Sequence, residues 1–249
     1  MRILITGGSS DIGRAIALRR LRLGDEVFVT ASSVETLTEA QAAFAASGFT
    51  VDGFVFDLRN PASASEELDR VLAKGIDGLV LNAATRLPKL RLFHEMDENH
   101  FTNFFNENTH GNVWILKRTL NSMIERGFGR LVFISSLTAV QGTSRYSVYS
   151  AAKAAIEGLF LNLAVDYGHQ DILSTIVRPG IIATERNRRF WRRSGYVERV
   201  SNLIPQGKIG LPDQVAEAID PLLSKTSYMN GSIIEVTGGL PRFRSGALV

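Results

Sequence analysis

The feature that most constrains this chain is a sevenfold alternation of hydrophobic period. Short β-rich apolar runs lie at 2–6, 26–30, 49–56, 76–81, 130–135, 172–178 and 232–236. Between them, stretches of helical periodicity fall at 12–23, 34–47, 61–74, 97–126, 149–167 and 213–223. Gly24 and Gly48 are placed to close the first two helices, Pro61 to open the third, and Asp97 to cap the long one. Strands separated by helices cannot pair as hairpins. They pair in parallel, with the helices covering both faces of the sheet. Right-handed crossovers make the arrangement doubly wound. The 249 residues show no repeat, low-complexity tract or linker and read as one α/β domain over 1–249. Ligands of such sheets bind beyond the carboxyl ends of the strands. The segments after Thr6, Thr30, Phe56, Leu81, Ser135 and Arg178 are therefore where function is expected.

Composition narrows the chemistry. There is no cysteine, which excludes disulfides and thiolate metal sites. The four histidines, His94, His100, His110 and His169, show no metal-binding spacing, so no catalytic metal is expected. The apolar run 3–5 is too short for a signal-peptide core, and no stretch reaches the length of an uncharged membrane span. The expectation is a cytoplasmic protein with no membrane contact. Net charge is +3, yet residues 178–208 hold eight Lys/Arg against two Asp/Glu. So local an excess argues against a general nucleic-acid surface and for an anionic partner at one place.

The first strand runs into Thr6-Gly7-Gly8-Ser9-Ser10-Asp11-Ile12-Gly13 and then a helix. Glycines there let the backbone approach a pyrophosphate closely, and the helix N-terminus supplies N–H groups and partial positive charge. Asp11 is a carboxylate where an anion would sit, and the expected resolution is that it caps the helix. The second strand ends in Thr30-Ala31-Ser32-Ser33, with no acid to accept ribose hydroxyls, which favours NADP(H) and leaves NAD(H) open. Tyr149 and Lys153 lie four apart on a helix and share a face. An ammonium beside a phenol favours the phenolate and makes the tyrosine a usable acid or base. Ser136, at the end of the fifth strand, can hydrogen-bond a substrate oxygen.

The glycine loop resembles the Thr-Gly-x-x-x-Gly-x-Gly signature of the short-chain dehydrogenase/reductase family, with Asp11 in place of the middle glycine. Asn82-Ala83-Ala84 resembles the family's Asn-Ala-Gly run, with Ala84 for glycine. Asn108, Ser136, Tyr149 and Lys153 match its catalytic tetrad in order and approximate spacing, and Pro179-Gly180, Thr184 and Gly238-Gly239 also fit. The resemblance spans Ile3 to about Gly239. It implies a Rossmann-type, seven-stranded parallel sheet and a hydride-transferring enzyme. It also implies cofactor contacts from Gly7, Ser9, Ser10, Asp11, Ile12 and Gly13, from Ala31, Ser32 and Ser33, and from Asp57 and Leu58. Further contacts are implied for Asn82, Ala83 and Ala84, for Tyr149 and Lys153, and for Pro179, Gly180, Ile182 and Thr184. A homo-oligomer, dimer or tetramer, is implied as well.

A substrate lid is expected over about 181–208, where Arg186, Arg188, Arg189, Arg192, Arg193 and Arg199 interleave with Phe190, Trp191 and Tyr196. The arginines are either a solvated face or a receptor for an anionic substrate or carrier. The layout is similar to 3-oxoacyl-carrier-protein reductases and polyketide ketoreductases. That likeness implies NADPH-dependent reduction of a 3-oxoacyl thioester, carried by an acidic carrier protein or by CoA. An alcohol, sugar or steroid dehydrogenase using NAD or NADP, and a non-catalytic NADP-binding sensor, are the competing readings.

Overall fold

Alternating apolar residues of the strands divide between two cores, one on each side of a seven-stranded sheet. The structure is a computed structural model that describes residues 1–86 and 90–240, apart from the side chains of residues 189 and 190. The strands are β1 (Arg2–Ile5), β2 (Glu26–Ala31), β3 (Asp52–Val55), β4 (Gly78–Leu81), β5 (Gly129–Ile134), β6 (Ile172–Pro179) and β7 (Ile233–Val236). Their order is β3-β2-β1-β4-β5-β6-β7, and every neighbouring pair is parallel. Leu4, Phe28, Leu79, Leu81, Leu131 and Phe133 point to one face. Ile3, Ile5, Val27, Val29, Val80 and Val132 point to the other. This is the period-two separation a sheet covered on both sides demands.

The helices are α1 (Asp11–Arg22), α2 (Val34–Ala46), α3 (Ser65–Leu72), α4 (Glu98–Arg126), α5 (Ser147–Tyr167), α6 (Arg188–Trp191), α7 (Tyr196–Ser201) and α8 (Pro212–Ile219). Ile115 and Met123 of α4 and Ile156 and Phe160 of α5 close the first core. Ile16 of α1, Phe44 of α2 and Val215 and Ile219 of α8 close the second. The expected doubly wound α/β sheet is therefore present. Asp97 caps α4 as expected, its carboxylate accepting His100 N–H at 2.7 Å. Gly24, at φ +84°, follows α1 in the left-handed conformation a side chain would resist. Several boundaries differ from the sequence reading. The third strand begins at Asp52, not near 49, and the fourth at Gly78, not 76; α5 begins two residues early, at Ser147; the Pro61 segment starts as a 3₁₀ turn (Pro61–Ala64) before α3; and α8 ends at Ile219, with 220–223 a 3₁₀ turn. By length and composition, residues 147–170 could cross a membrane, yet the helix there packs against α4 and β6.

The chain leaves β1 toward β2 on one side and re-enters at β4 on the other. The helices that follow β1 and β4, α1 and α4, therefore pack on opposite faces of the sheet, opening a cleft at its carboxyl edge. The residues singled out from sequence gather around that cleft.

Candidate active site

The loop between β1 and α1 is held in shape by its neighbours. Gly7 has φ +66°, and a Cβ on Gly13 would stand 2.3 Å from the Gly7 oxygen, so neither position accepts a side chain. Asn82 braces the loop from the end of β4. Its Nδ2 lies 3.0 Å from Thr6 O, Gly7 O and Ser10 Oγ, while Thr6 Oγ1 accepts the N–H groups of Asn82 and Ala83. The cap of α1 is Ser10, whose Oγ accepts Gly13 N–H at 3.2 Å. The expectation that Asp11 caps the helix is thus corrected. A capping residue needs extended backbone, which Ser10 has (φ −77°, ψ 158°), whereas Asp11 is already the first helical residue. The Asp11 carboxylate instead accepts Glu185 N–H at 2.9 Å and sits 3.4 Å from Arg14. Its charge is engaged sideways. The first N–H groups of α1 have no carbonyl within the helix to bond. This donor set fits a dinucleotide pyrophosphate.

At the tail of β2, Ala31 is buried and Ser32 exposed. Ser33 caps α2, with Oγ accepting Thr36 N–H and Thr36 Oγ1 accepting Ser33 N–H. The linear reading did not weigh Glu35, whose pKa is lowered by backbone and Ser33 hydrogen bonds. Beyond β3, Asp57 is bound by its near neighbour Arg59 (2.9–3.1 Å), and Leu58 packs its backbone against Gly111 of α4.

Ser136, Tyr149 and Lys153 come together at the end of β5. Ser136 starts a 3₁₀ turn (Leu137–Ala139), and its Oγ accepts from Thr138 N at 3.2 Å. The Tyr149 ring leans on Phe104 and Tyr146, with centroids 6.4 and 6.0 Å away. Burial pushes the phenol above its ordinary pKa, while Arg186 and a hydrogen bond with Ser136 pull it down. Lys153 is buried, and its Nζ donates to Ile134 O at 2.7 Å and lies 5.8 Å from the Tyr149 ring centroid. Burial, then the charge of Arg186, lowers its pKa to about 7, against an upward pull from Glu157. Arg186, from the segment after β6, is a further cation that favours the Tyr149 phenolate. Asn108 is a buried staple. Its Oδ1 accepts Thr85 N–H (3.0 Å), and its Nδ2 donates to Thr85 Oγ1 (2.7 Å) and Phe104 O (2.8 Å).

Pro179 ends β6, and Gly180 fits against Thr237, whose Cα would lie 3.0 Å from an added Cβ. Ile182 turns its side chain into the second core, and its backbone bridges to Gly210. Thr184 O accepts the Trp191 indole N–H at 3.2 Å. Segment 181–208, where a lid is expected, forms a 3₁₀ turn (Glu185–Asn187), α6 and α7, with Val200 and Ile204 packed on Leu137. Arg186 reaches across to Ala84 O at 3.1 Å. Arg188 pairs with Glu185, Arg192 and Arg193 are exposed, and the Arg189 side chain lies outside the described residues.

Sequence reasoning missed three features. Glu157, one turn beyond Lys153, is buried and accepts Arg178 at 2.9 and 2.6 Å and Ser135 Oγ–H at 2.6 Å. Asn112, one turn beyond Asn108, is buried with an orphaned oxygen. A pocket of about 510 Å³ lies against the β5–α5 segment, lined by Leu92, Phe93, Thr138, Gln141 and Ser147 among others. The i+4 spacings were visible in sequence. Burial was not.

A family model described as short chain dehydrogenase matches residues 1–194. The 3-oxoacyl-[acyl-carrier-protein] reductase FabG of Buchnera aphidicola is 30% identical over 239 residues, covering 95% of each chain. A 3-oxoacyl (acyl-carrier-protein) reductase of Agrobacterium tumefaciens, solved with NADP bound, superposes with TM-score 0.87 at 29% identity, covering 96% of this chain and 93% of that one. A gluconate 5-dehydrogenase of Burkholderia cenocepacia, solved with NADP and tartrate, gives 0.87 at 25% identity, covering 99% and 96%. With the family model covering well over half its length, the cleft, its glycine loop and the Ser-Tyr-Lys grouping are those of an oxidoreductase, and this chain belongs to the short-chain dehydrogenase/reductase family.

Proposed function

We propose that the protein reduces a ketone to a secondary alcohol with NADPH, and that its substrate is a 3-oxoacyl thioester held on a carrier protein or CoA, or a polyketide intermediate. The observation that carries this reading is the convergence of Ser136, Tyr149 and buried Lys153 at the mouth of the β1/β4 cleft. A dinucleotide held in the cleft would supply the hydride. Ser136 and Tyr149 hold the substrate oxygen, and Tyr149 gives its proton to that oxygen as negative charge develops. Lys153 sets the charge beside the phenol, and Asn108 fixes the helix and loop that carry it. The glycine loop, with Ser9, Ser10 and Ile12, receives the pyrophosphate. Ser32 and Ser33, with no acid at the C-terminal end of β2, favour a 2′-phosphate, as does the NADP of the solved relative. Exposed Arg192 and Arg193 suit an acidic carrier.

A second reading rests on Arg186. Its guanidinium acts on Tyr149 and has no carboxylate within ion-pair distance among the described residues. That arrangement favours a substrate with an anionic group near its carbonyl, such as a sugar acid, and the gluconate 5-dehydrogenase likeness supports it. A non-catalytic sensor is disfavoured because all four tetrad positions are kept. The reading includes a cytoplasmic homo-oligomer, dimer or tetramer, in keeping with exposed Leu161 and Val165 on α5. The test is NADPH oxidation with a short 3-oxoacyl thioester, with NADH and a 2-oxo sugar acid in parallel. NADPH-selective turnover of the thioester supports the first reading, and turnover of the sugar acid alone replaces it with the second.

A further inference from the structure

Asn112 is 2% exposed and sits one turn after Asn108 on α4. Its Nδ2 donates to Asn108 O at 2.7 Å and Ala83 O at 3.3 Å. Both neighbours are carbonyl oxygens, so the amide is held with its nitrogen toward them; the flipped amide would set acceptor against acceptor. Oδ1 is thereby turned away, and it has no partner among the described residues. A buried carbonyl oxygen without a donor is unfavourable and calls for an explanation. Asn112 lines a tight pocket together with Asn108, Phe133, Tyr149 and Lys153. Lys153 has three N–H donors and spends one on Ile134 O.

We propose that Asn112 is a positioning residue for Lys153: its Oδ1 is the amine's second station, and the amine moves between the Ile134 carbonyl and this oxygen. The proposal rests on the reading of Lys153 as the partner of Tyr149. Lys153 is faced by Tyr149 and Glu157 from its own helix and by Arg186 from segment 181–208. α4 and β5 face it with the neutral Asn108, Asn112 and Phe133. An acceptor dipole on the amine favours its charged form, opposing the burial that lowers Lys153 to about 7.

The test follows the ¹³Cε resonance of Lys153 against pH in the cofactor-free protein, assigned by its loss in Lys153→Arg. Asn112→Leu should move the titration midpoint down by about half a unit or more, and Asn112→Asp should move it up by about one unit. The alkaline limb of kcat/KM should move in the same sense. A folded Asn112→Leu with the wild-type midpoint overturns the proposal, whatever happens to its stability or turnover. If Asn112→Leu does not fold, Asn112→Asp decides, and an unchanged midpoint there overturns it. The titration needs no substrate, so its failure is distinct from failure of the ketoreductase reading.

Discussion

Replacing Glu157 by Leu should cost the fold about 3 kcal/mol, the low end of what breaking a buried ion pair costs. The arithmetic starts from a pair whose side chains are only 6% and 7% exposed. Two charged bonds to Arg178, at 2.9 and 2.6 Å, would be lost, and the Ser135 hydroxyl would lose its 2.6 Å acceptor. Arg178 would keep Glu235 at 3.2 Å, which is why the low end applies. For a chain of this length such a loss lowers Tm by roughly 6–12 °C. Urea unfolding followed by circular dichroism measures it directly. The double variant Glu157→Leu with Arg178→Met should recover most of the loss, because an apolar pair of similar volume leaves no charge buried alone. Ser135 adjoins Ser136, so the single variant should also reduce turnover. A single-variant loss below about 1 kcal/mol, or a double variant losing the sum of the two singles, would refute the reasoning.

Gly13→Ala should raise the Kd for NADPH at least about tenfold, because its Cβ would press on Gly7 O and Asn82 Nδ2 and force the loop out of shape; fluorescence titration reads it. Reversing Arg192 and Arg193 to Glu should raise KM for a carrier-bound thioester more than for a small one, and equal effects would count against carrier docking. Lys153 should shape both activity and stability with pH. Its folded pKa, about 7, lies below the unfolded value of 10.5, so the unfolded chain binds more protons between them. The burial penalty is full below pH 7 and fades as pH rises toward 10.5. The Tm advantage of Lys153→Met over wild type should therefore shrink over that window, and kcat/KM for NADPH should fall above a midpoint near 7.

The sheet was legible because two periods, 2 and 3.6, mark strand and helix independently of packing, and seven runs leave one economical way to pair. The glycine loop, Tyr149 and Lys153 stood out in the sequence through their joint agreement with the other motifs, since neither the glycine cluster nor the i,i+4 pair is specific alone. Asp11 was misread because a cap is defined by backbone conformation, and the choice between Ser10 and Asp11 depends on where extended backbone ends. The buried ion pair one turn beyond Lys153 was illegible for a different reason. Glu157 and Arg178 are 21 residues apart, and only the packing of α5 on β6 makes them neighbours. The short helices of segment 181–208 carry little periodicity, and their place is set by Val200 and Ile204 resting on Leu137. Arg186 belonged to a charge run that sequence could equally read as a solvated face, and its electrostatic effect on Tyr149 became visible only in three dimensions.

The account's central claim is that the Tyr149 phenol delivers the proton that completes hydride transfer. Its most direct test is the Tyr149→Phe variant, with NADPH binding and ketone turnover measured on the same preparation. The ring packs against Phe104 and Tyr146 through carbon, so the fold and the NADPH Kd should be preserved. Turnover should fall by roughly 10²–10⁴, the range for loss of a positioned general acid. Turnover within a few-fold of wild type, with NADPH still bound, would contradict the account.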